Sequence, residues 1–263
     1  MQTRIALSVE YDGTDFKGWQ IQSNGRSVQG CLQQALSSVA DSPVQVIGAG
    51  RTDAGVHALT QVAHFDTQAQ RSVRQWLLGA NANLPCDVSV RWVRAVAPDF
   101  HARFSALARA YRYLILNRAT RPAISRHRAC WIHQELNEAR MREASRYFLG
   151  EQDFSALRAA GCQAKSPIRN LHTIEVTRAG EVIIVDVAAN AFLQHMVRNI
   201  AGVLIKVGKG EAESQWAQQV LEGRDRAKAG ITAPAAGLYL TEIRYSDEFG
   251  LPAMAPPVLL PLG

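Results

Sequence analysis

The sequence has few of the residues that build a disulfide framework or a metal site. Its four cysteines are Cys31, Cys86, Cys130 and Cys162, which are widely separated and form no C-x-x-C pair. Disulfide-rich domains and zinc sites depend on closely spaced cysteines. We therefore expect four reduced, mostly buried thiols.

Long apolar runs are also missing. No stretch approaches the roughly 20 apolar residues of a membrane helix, and Glu10 interrupts the first apolar segment. The start does not resemble a secretory signal peptide, so we expect a cytoplasmic protein without a membrane segment. With 47% hydrophobic and 20% charged residues in 263 positions, the chain has a globular composition and suits one large domain or two smaller units.

Acidic residues are outnumbered, with 23 Asp and Glu against 29 Lys and Arg. The imbalance is greatest over residues 91–128, where nine arginines accompany a single acid, Asp99. Aromatic residues are interspersed with them, among them Phe100, Phe104, Tyr111 and Tyr113. Arginine binds phosphates through a planar fork and aromatic rings stack on bases. The stretch therefore favours contact with RNA or DNA over a merely solvated surface.

The hydrophobic pattern of the first hundred residues predicts the order β-α-β-β-α-β. Ser27 and Ser72 are suited to cap two amphipathic helices. Strands are predicted at residues 5–11, 44–47, 61–65 and 88–96.

A similar order is predicted for the second half, with one additional helix. Strands are predicted at residues 110–116, 171–177, 181–187 and 238–245. Asn137 is expected to begin a helix stopped by Gly150, and further helices are expected at 192–207 and at 216–221, the last ended by Gly223.

These patterns predict an α+β protein of two ferredoxin-like units, residues 1–104 and 105–246. We expect the units to share a broad, mainly antiparallel sheet, with helices on one face and an RNA cleft between the units. The tail, residues 247–263, contains four prolines and can form neither a continuous helix nor a central strand.

The segment 48–58 is the densest concentration of unusual residues. Its three glycines allow positive φ angles and close approach to a ligand, and Arg51 and Asp53 extend from the same loop. A surface turn with a local ion pair explains this composition equally well. The segment matches neither a P-loop nor a nucleophile elbow, so its spacing alone identifies no reaction.

Arg198 is a cation within the apolar helix predicted at 192–207. It points away from the apolar stripe that Phe192 and Met196 begin. Such an arginine either lies at the solvated edge of the helix or reaches a buried partner, and the edge is the default expectation.

Five segments resemble, in order, the tRNA pseudouridine synthase A (TruA) family. The most specific is G-R-T-D-A-G-V-H-A at residues 50–58. The others are Y-D-G-T with F-x-G-W-Q at 11–20, F-H-A-R-F-S-A with Y-R-Y at 100–113, F-L-x-H-M-V-R-N-I at 192–200, and A-G-L-Y-L at 236–240.

The resemblance implies a homodimeric isomerase that converts uridine to pseudouridine at positions 38, 39 and 40 of the tRNA anticodon stem-loop, without cofactor or metal. It implies that Asp53 is the catalytic carboxylate, that Tyr111 stacks on the target base, and that Arg198 pairs with Asp53. The signature arginine, Arg51, would hold the base out of the helix. We also predict RNA contacts from His101, Arg103, Lys165 and Arg169.

The chemistry implied by the resemblance requires a carboxylate. The N1–C1′ bond of uridine breaks, the uracil turns, and C5 bonds to C1′. Asp53 could attack the sugar or the base, or act as a base at the sugar, and the sequence leaves these routes open. The competing interpretations are a non-catalytic RNA-binding protein, which an acid in a basic region disfavours, and a small-molecule enzyme, which the arginine-rich stretch disfavours.

Overall fold

The computed structural model describes residues 2–23 and 25–252. Five α-helices and ten mostly antiparallel strands in this part of the chain confirm the predicted α+β class. Two compact units are present, whose described parts are residues 2–107 with 240–252, and residues 108–239. The ferredoxin-like character of the units and the boundaries at 104 and 246 stay predictions. Most of the proline-rich tail lies outside the described residues.

The first unit contains the predicted order of elements. Strand β1 lies between β3 and β4 and pairs antiparallel with both, while β2 pairs with β3. Ser27 and Ser72 cap the two helices, the latter through a capping box with Gln75. The elements are β1 (Thr3–Tyr11), α1 (Val28–Ala40), β2 (Ile47–Gly48), β3 (His57–Thr67), α2 (Val73–Asn83) and β4 (Val88–Val96).

The strand predicted at 44–47 is wrong, because only its last residue belongs to β2. The N–H groups of Val44 and Val46 donate to the side chains of Ser37 and Gln33, at 2.9 and 3.1 Å, and so bond to α1. Val44 and Val46 are buried and the residue between them is exposed, as in a strand, but this segment does not pair with another strand at these residues.

In the second unit, β9 lies between β5 and β8 and pairs antiparallel with both. Strand β7 pairs with β8, and β6 pairs in parallel with β5. The sequence did not predict β6 and β7, which are too short for an alternating pattern. The elements are β5 (Ala108–Asn117), β6 (Cys130–Ile132), α3 (Glu138–Ser145), β7 (Gly150–Asp153), β8 (Ile168–Ala179), β9 (Val182–Ala189), α4 (Met196–Gly208) and α5 (Trp216–Gly223). Strand β10 (Leu238–Arg244) spans the division between the units.

Three helix boundaries differ from the prediction. Helix α4 begins at Met196 rather than Phe192, because His195 has the left-handed φ of 64° and cannot continue a helix backwards. Helix α3 ends at Ser145, and Gly150 begins β7 instead of stopping the helix. Helix α5 extends to Gly223, two residues beyond the predicted last residue, and Arg224, with φ of 49°, follows as its C-cap.

Each unit has its own apolar core. In the first, Phe65 and Trp76 pack edge to face with ring centroids 5.0 Å apart, which joins β3 to α2. In the second, α4 is buried around most of its circumference. No helix among the described residues is long and apolar enough to cross a membrane.

The segment that follows β4 is fixed to the first unit by hydrogen bonds from Arg4 and to His64. Arg4 donates through Nη1 to the carbonyls of Pro98 and Phe100, at 2.5 and 2.9 Å. The buried His64 accepts the N–H of Ala102 at Nδ1, at 3.1 Å. Burial lowers the pKa of His64 to about 4, and the neighbouring charges of His101 and Arg4 act in the same direction.

Because of His64, the protein should unfold more easily in mild acid. The unfolded chain takes up a proton at the ordinary histidine pKa of about 6.5, whereas the folded ring does so only near pH 4. Stability is therefore complete above pH 6.5 and falls as the pH drops towards 4. We expect this group to remove about 2 kcal/mol of the free energy of unfolding between pH 7 and pH 5.

Urea denaturation at both pH values measures the loss. The variant His64→Gln keeps an acceptor for the N–H of Ala102 but cannot titrate. Its free energy of unfolding should therefore fall by about 2 kcal/mol less than that of the wild type between pH 7 and pH 5. His101, whose pKa is also lowered by burial, remains in both proteins and contributes to the pH dependence of each. An equal pH dependence of the two proteins would contradict the assignment.

Candidate active-site residues

Asp53 lies in the turn that joins β2 to β3 in the first unit. The N–H of Val56 donates to the Asp53 carbonyl at 3.1 Å, and Gly55 has a positive φ of 78°. Asp53 is half-buried, whereas Arg51 is exposed. The two predicted residues therefore share one tight loop, residues 49–56, which we call the signature loop.

The signature loop is held by the segment that follows β1, on both sides of Asp53. On the N-terminal side, the Trp19 N–H donates to the Thr52 carbonyl at 3.0 Å. The hydroxyls of Tyr11 and Thr52 form a buried hydrogen bond of 2.8 Å. On the C-terminal side, the Gly55 N–H donates to the Phe16 carbonyl at 3.4 Å. The backbone around Asp53 is thus fixed before any ligand binds.

Two glycines of the β1–α1 segment make this contact possible. Gly18 has a φ of 97°, and a Cβ atom there would come 2.5 Å from the Thr52 carbonyl oxygen. A Cβ at Gly13 would overlap the carbonyl of Val56. Both positions require glycine because the two backbones touch.

The base of the signature loop is tied to β3. The side chain of Gln61 donates to the Gly50 carbonyl at 2.8 Å, and the Ala49 N–H donates to the Val62 carbonyl at 2.8 Å. The loop is therefore bonded at its base and on both flanks.

His101 and Arg103 lie in a second loop of the same unit. His101 Nδ1 accepts the N–H groups of Arg103 and Phe104, at 3.1 and 3.2 Å. The His101 ring stacks on Phe104 with centroids 4.3 Å apart, and the Arg103 guanidinium lies 5.7 Å from that ring's centroid. Phe104 is 77% exposed, so this loop presents an aromatic face beside a cation.

Tyr111 lies on β5 in the second unit and is half-buried. Its ring meets Phe192 edge to face, with centroids 5.1 Å apart and an interplanar angle of 84°. Tyr113, two residues along the strand, is fully buried. Arg112, between them, pairs with the directly opposite Asp186 of β9 through bonds of 2.8 and 2.9 Å.

Arg198 lies in the first turn of α4 and is half-buried. Its Nε donates to the Ala233 carbonyl at 2.8 Å, and its own carbonyl accepts the Ala233 N–H at 3.1 Å. Arg198 is therefore not a fully solvated edge residue. Its pairing with Asp53, which the family resemblance implies, stays a prediction.

Lys165 and Arg169 flank the start of β8 in the second unit. Lys165 is exposed. Arg169 is half-buried and donates to the carbonyls of Ser166 and Ile168, at 3.0 and 2.6 Å, and burial lowers its pKa. Arg169 therefore braces its own segment, and its contact with RNA stays a prediction.

Local ion pairs reduce the basic character of residues 91–128. Arg91 pairs with Glu10 at 2.9 Å, and Arg118 pairs with Glu181 at 3.2 Å. Together with Arg112, three of the nine arginines thus have acidic partners. The exposed arginines of this stretch are Arg94, Arg103, Arg121, Arg126 and Arg128.

The supporting residues were missed by the sequence analysis. The Thr52 hydroxyl, the Phe192 ring and the Ala233 backbone each contact a residue far away in the chain, which no local pattern reveals. Within residues 2–23 and 25–252, no group of three or more His, Cys, Asp or Glu could hold a metal ion.

Known proteins resemble this chain over nearly its whole length. A family model described as tRNA pseudouridine synthase matches residues 7–105 and 144–246. A protein of Nitrosococcus oceani named tRNA pseudouridine synthase A is 56% identical over 255 residues, 97% of this chain and 98% of that protein. A relative of the same name from Alcanivorax borkumensis is 55% identical over 251 residues, 95% of this chain and 94% of that protein.

Among solved structures, a Cbf5-Nop10-Gar1 complex aligns at 14% identity over 91% of this chain and 59% of that chain, with a TM-score of 0.38. That structural likeness is too low to support an argument. The sequence matches decide the assignment, because the family model includes both the signature loop and Arg198 and covers more than half of the chain. The chain belongs to the tRNA pseudouridine synthase family.

Proposed function

We propose that this protein isomerises uridine to pseudouridine in tRNA, at positions 38, 39 and 40 of the anticodon stem-loop. The observation that carries the proposal is the signature loop, in which a half-buried carboxylate extends from a backbone bonded on both flanks. A rigidly held carboxylate fits a reaction that needs one acid in a defined position. We further propose that the enzyme works as a homodimer in the cytoplasm.

In the proposed reaction, Asp53 is the catalytic residue. The N1–C1′ bond breaks, the detached uracil turns, C5 bonds to C1′, and the proton on C5 leaves while N1 gains one. Atoms and electrons balance without an oxidant or a hydrolytic water. The carboxylate acts either as a nucleophile or as a base at the sugar, and in both cases it must be ionised.

The other proposed residues prepare the base and the carboxylate. The target uridine must leave its stack, which costs a few kcal/mol, and the ring of Tyr111 offers a replacement stacking surface. The edge-on contact with Phe192 holds that ring in one orientation. Arg198 would pair with Asp53 and favour its charged form, while Arg51 would keep the extruded base outside the RNA helix.

RNA would bind through basic and aromatic residues around these groups. The loop of His101, Arg103 and Phe104 combines a cation with an exposed ring, which suits a phosphate and an unpaired base. Lys165 is an exposed cation in the second unit. We propose that His101, Arg103, Lys165 and Arg169 contribute to this surface.

The variant Asp53→Asn tests the proposed function directly. It removes the charge while it keeps the size of the side chain, so pseudouridine formation in unmodified tRNA should fall below detection while tRNA binding persists. Asp15→Asn is the matched control, because Asp15 is an exposed acid of the neighbouring segment, and this variant should remain fully active. Turnover by Asp53→Asn, with normal folding, would reject Asp53 as the catalytic residue. A wild-type protein that binds tRNA without modifying it would instead be a non-catalytic RNA-binding protein.

The role of Tyr111 can be separated into ring and hydroxyl contributions. If stacking dominates, Tyr111→Phe should lose little, since Phe keeps both the platform and the contact with Phe192. Tyr111→Ala should then lose about 1–3 kcal/mol, or roughly 5- to 150-fold in rate. Single-turnover kinetics at saturating tRNA measure both variants. If Phe is as slow as Ala, the hydroxyl moves a proton, and the stacking interpretation is wrong.

The affinity for tRNA should depend strongly on salt. With several phosphate contacts, roughly 10³-fold should be lost between 50 and 200 mM salt. Replacing Arg103 by Ala should flatten the logarithmic slope by about one unit. Arg74→Ala is the control, because Arg74 is an exposed arginine on α2 outside the proposed surface. If the salt dependence of tRNA affinity has the same slope in Arg103→Ala as in the wild type, Arg103 does not contact the RNA.

A further inference from the structure

Residues 231–234 of the second unit are bonded both to α4 and to β5. Ala233 forms two hydrogen bonds with Arg198, of 2.8 and 3.1 Å. The next residue, Pro234, accepts the hydroxyl of Tyr113 at 2.7 Å. Burial raises the pKa of Tyr113 well above its ordinary value, so this hydroxyl stays protonated as a donor. A short segment thus joins the helix that carries Arg198 to the strand that carries Tyr111.

The same segment is anchored from its other end by a buried polar network. The side chain of Asn199, which is 1% exposed, accepts bonds from the Thr232 hydroxyl at 2.7 Å and from Arg226 at 3.0 Å. Its amide group donates to the Leu157 carbonyl at 2.7 Å. The Asn199 side chain therefore joins Leu157, Arg226 and Thr232 within the second unit.

The contact between this segment and α4 is close. A Cβ atom at Gly202 would overlap the carbonyl of Ile231, so glycine lets the segment lie directly on the helix. Thr232 and Ala233, the next two residues along the chain, then form their hydrogen bonds with Asn199 and Arg198. The segment has little room to shift along α4.

We propose that residues 231–234 are a spacer that orients the guanidinium of Arg198, with Tyr113 and Thr232 as positioning residues for the reaction. The inference rests on the proposed role of Arg198. A hydrogen bond at Nε fixes the plane of a guanidinium group and hence the direction of its terminal nitrogens. The Tyr113 hydroxyl holds the same spacer. The position of Arg198 is therefore fixed relative to β5, the strand that also carries Tyr111.

The chain supplies a matched comparison for Tyr113. Tyr239 is also buried, and its hydroxyl donates to the Arg128 carbonyl at 2.7 Å. Removal of either hydroxyl deletes a hydrogen bond from a buried phenol to a backbone carbonyl. The Tyr239 hydroxyl donates to Arg128 instead of to the spacer, so its removal should affect stability without affecting Arg198.

The first experiment compares Tyr113→Phe with Tyr239→Phe in single-turnover reactions at saturating tRNA. Small misplacements of catalytic groups cost large factors in rate, so Tyr113→Phe should be about tenfold slower with unchanged tRNA affinity. Tyr239→Phe should stay close to the wild-type rate. Equal rates for both variants would overturn the spacer role, because a merely structural bond would act the same at either position.

A double-mutant cycle tests whether the effect passes through Arg198. In an Arg198→Lys background, which keeps the charge but lacks Nε, Tyr113→Phe should cause almost no further loss. A full tenfold loss in both backgrounds would overturn the inference. An active wild-type enzyme whose Arg198→Lys variant is equally fast would reject the role of Arg198 itself. A wild-type protein without any turnover would reject the proposed function.

Thr232 provides an independent pair of variants. They test the positioning role of residues 231–234 if Arg198→Lys is too slow to measure or Tyr113→Phe does not fold. Thr232→Val keeps the shape but lacks the hydroxyl, and should slow the reaction by about tenfold. Thr232→Ser keeps the hydroxyl and should restore the rate to near the wild-type value. Equal rates for Val and Ser would overturn the positioning role.

Discussion

The candidate site in the first unit depends on a direct backbone contact between the signature loop and the segment after β1. Antiparallel pairing places the end of β1 beside the start of β3, with Tyr11 opposite Ala58. The two loops therefore leave the sheet at the same point. Gly18 allows their backbones to touch, and the bond from the Trp19 N–H to the Thr52 carbonyl is the result. A side chain at Gly18, or at Gly13, would overlap the backbone of the signature loop, so the position of Asp53 depends on the absence of both Cβ atoms.

In the second unit, the side chains of Arg198 and Tyr113 both donate to backbone carbonyls of one short segment. Arg198 donates to Ala233, and Tyr113 supports the same segment through Pro234. The ion pairs of the basic stretch, such as Arg112 with Asp186, are half-exposed, and such pairs contribute about 0–1 kcal/mol. An arginine held in such a pair is less available to a phosphate. The proposed attraction for RNA therefore rests on the exposed arginines of the stretch, such as Arg103.

Much of the fold was predictable because local signals and tertiary structure agree. Ser27 and Ser72 cap helices as their sequence context indicates, and the resemblance located the loop of Asp53. The false strand at 44–47 has a different origin. Its alternating burial is real, but its N–H groups find partners on the side chains of α1, and sequence alternation does not distinguish a strand partner from a helix partner. The contacts of Thr52, Phe192 and Ala233 escaped prediction for a related reason, since their partners lie 30 or more residues away along the chain.

The displaced start of α4 is the error with the greatest consequence for function. The apolar residues from Phe192 onwards have a helical period, and that pattern would place Phe192 on the core stripe with Met196. The left-handed His195 ends the helix before it reaches Phe192. Phe192 instead packs edge-on against Tyr111. If the helix were continuous, Phe192 would lie on its apolar stripe and pack into the core. The break in the helix at His195 thus leaves Phe192 in contact with the proposed base-stacking ring, as expected where function competes with regular secondary structure.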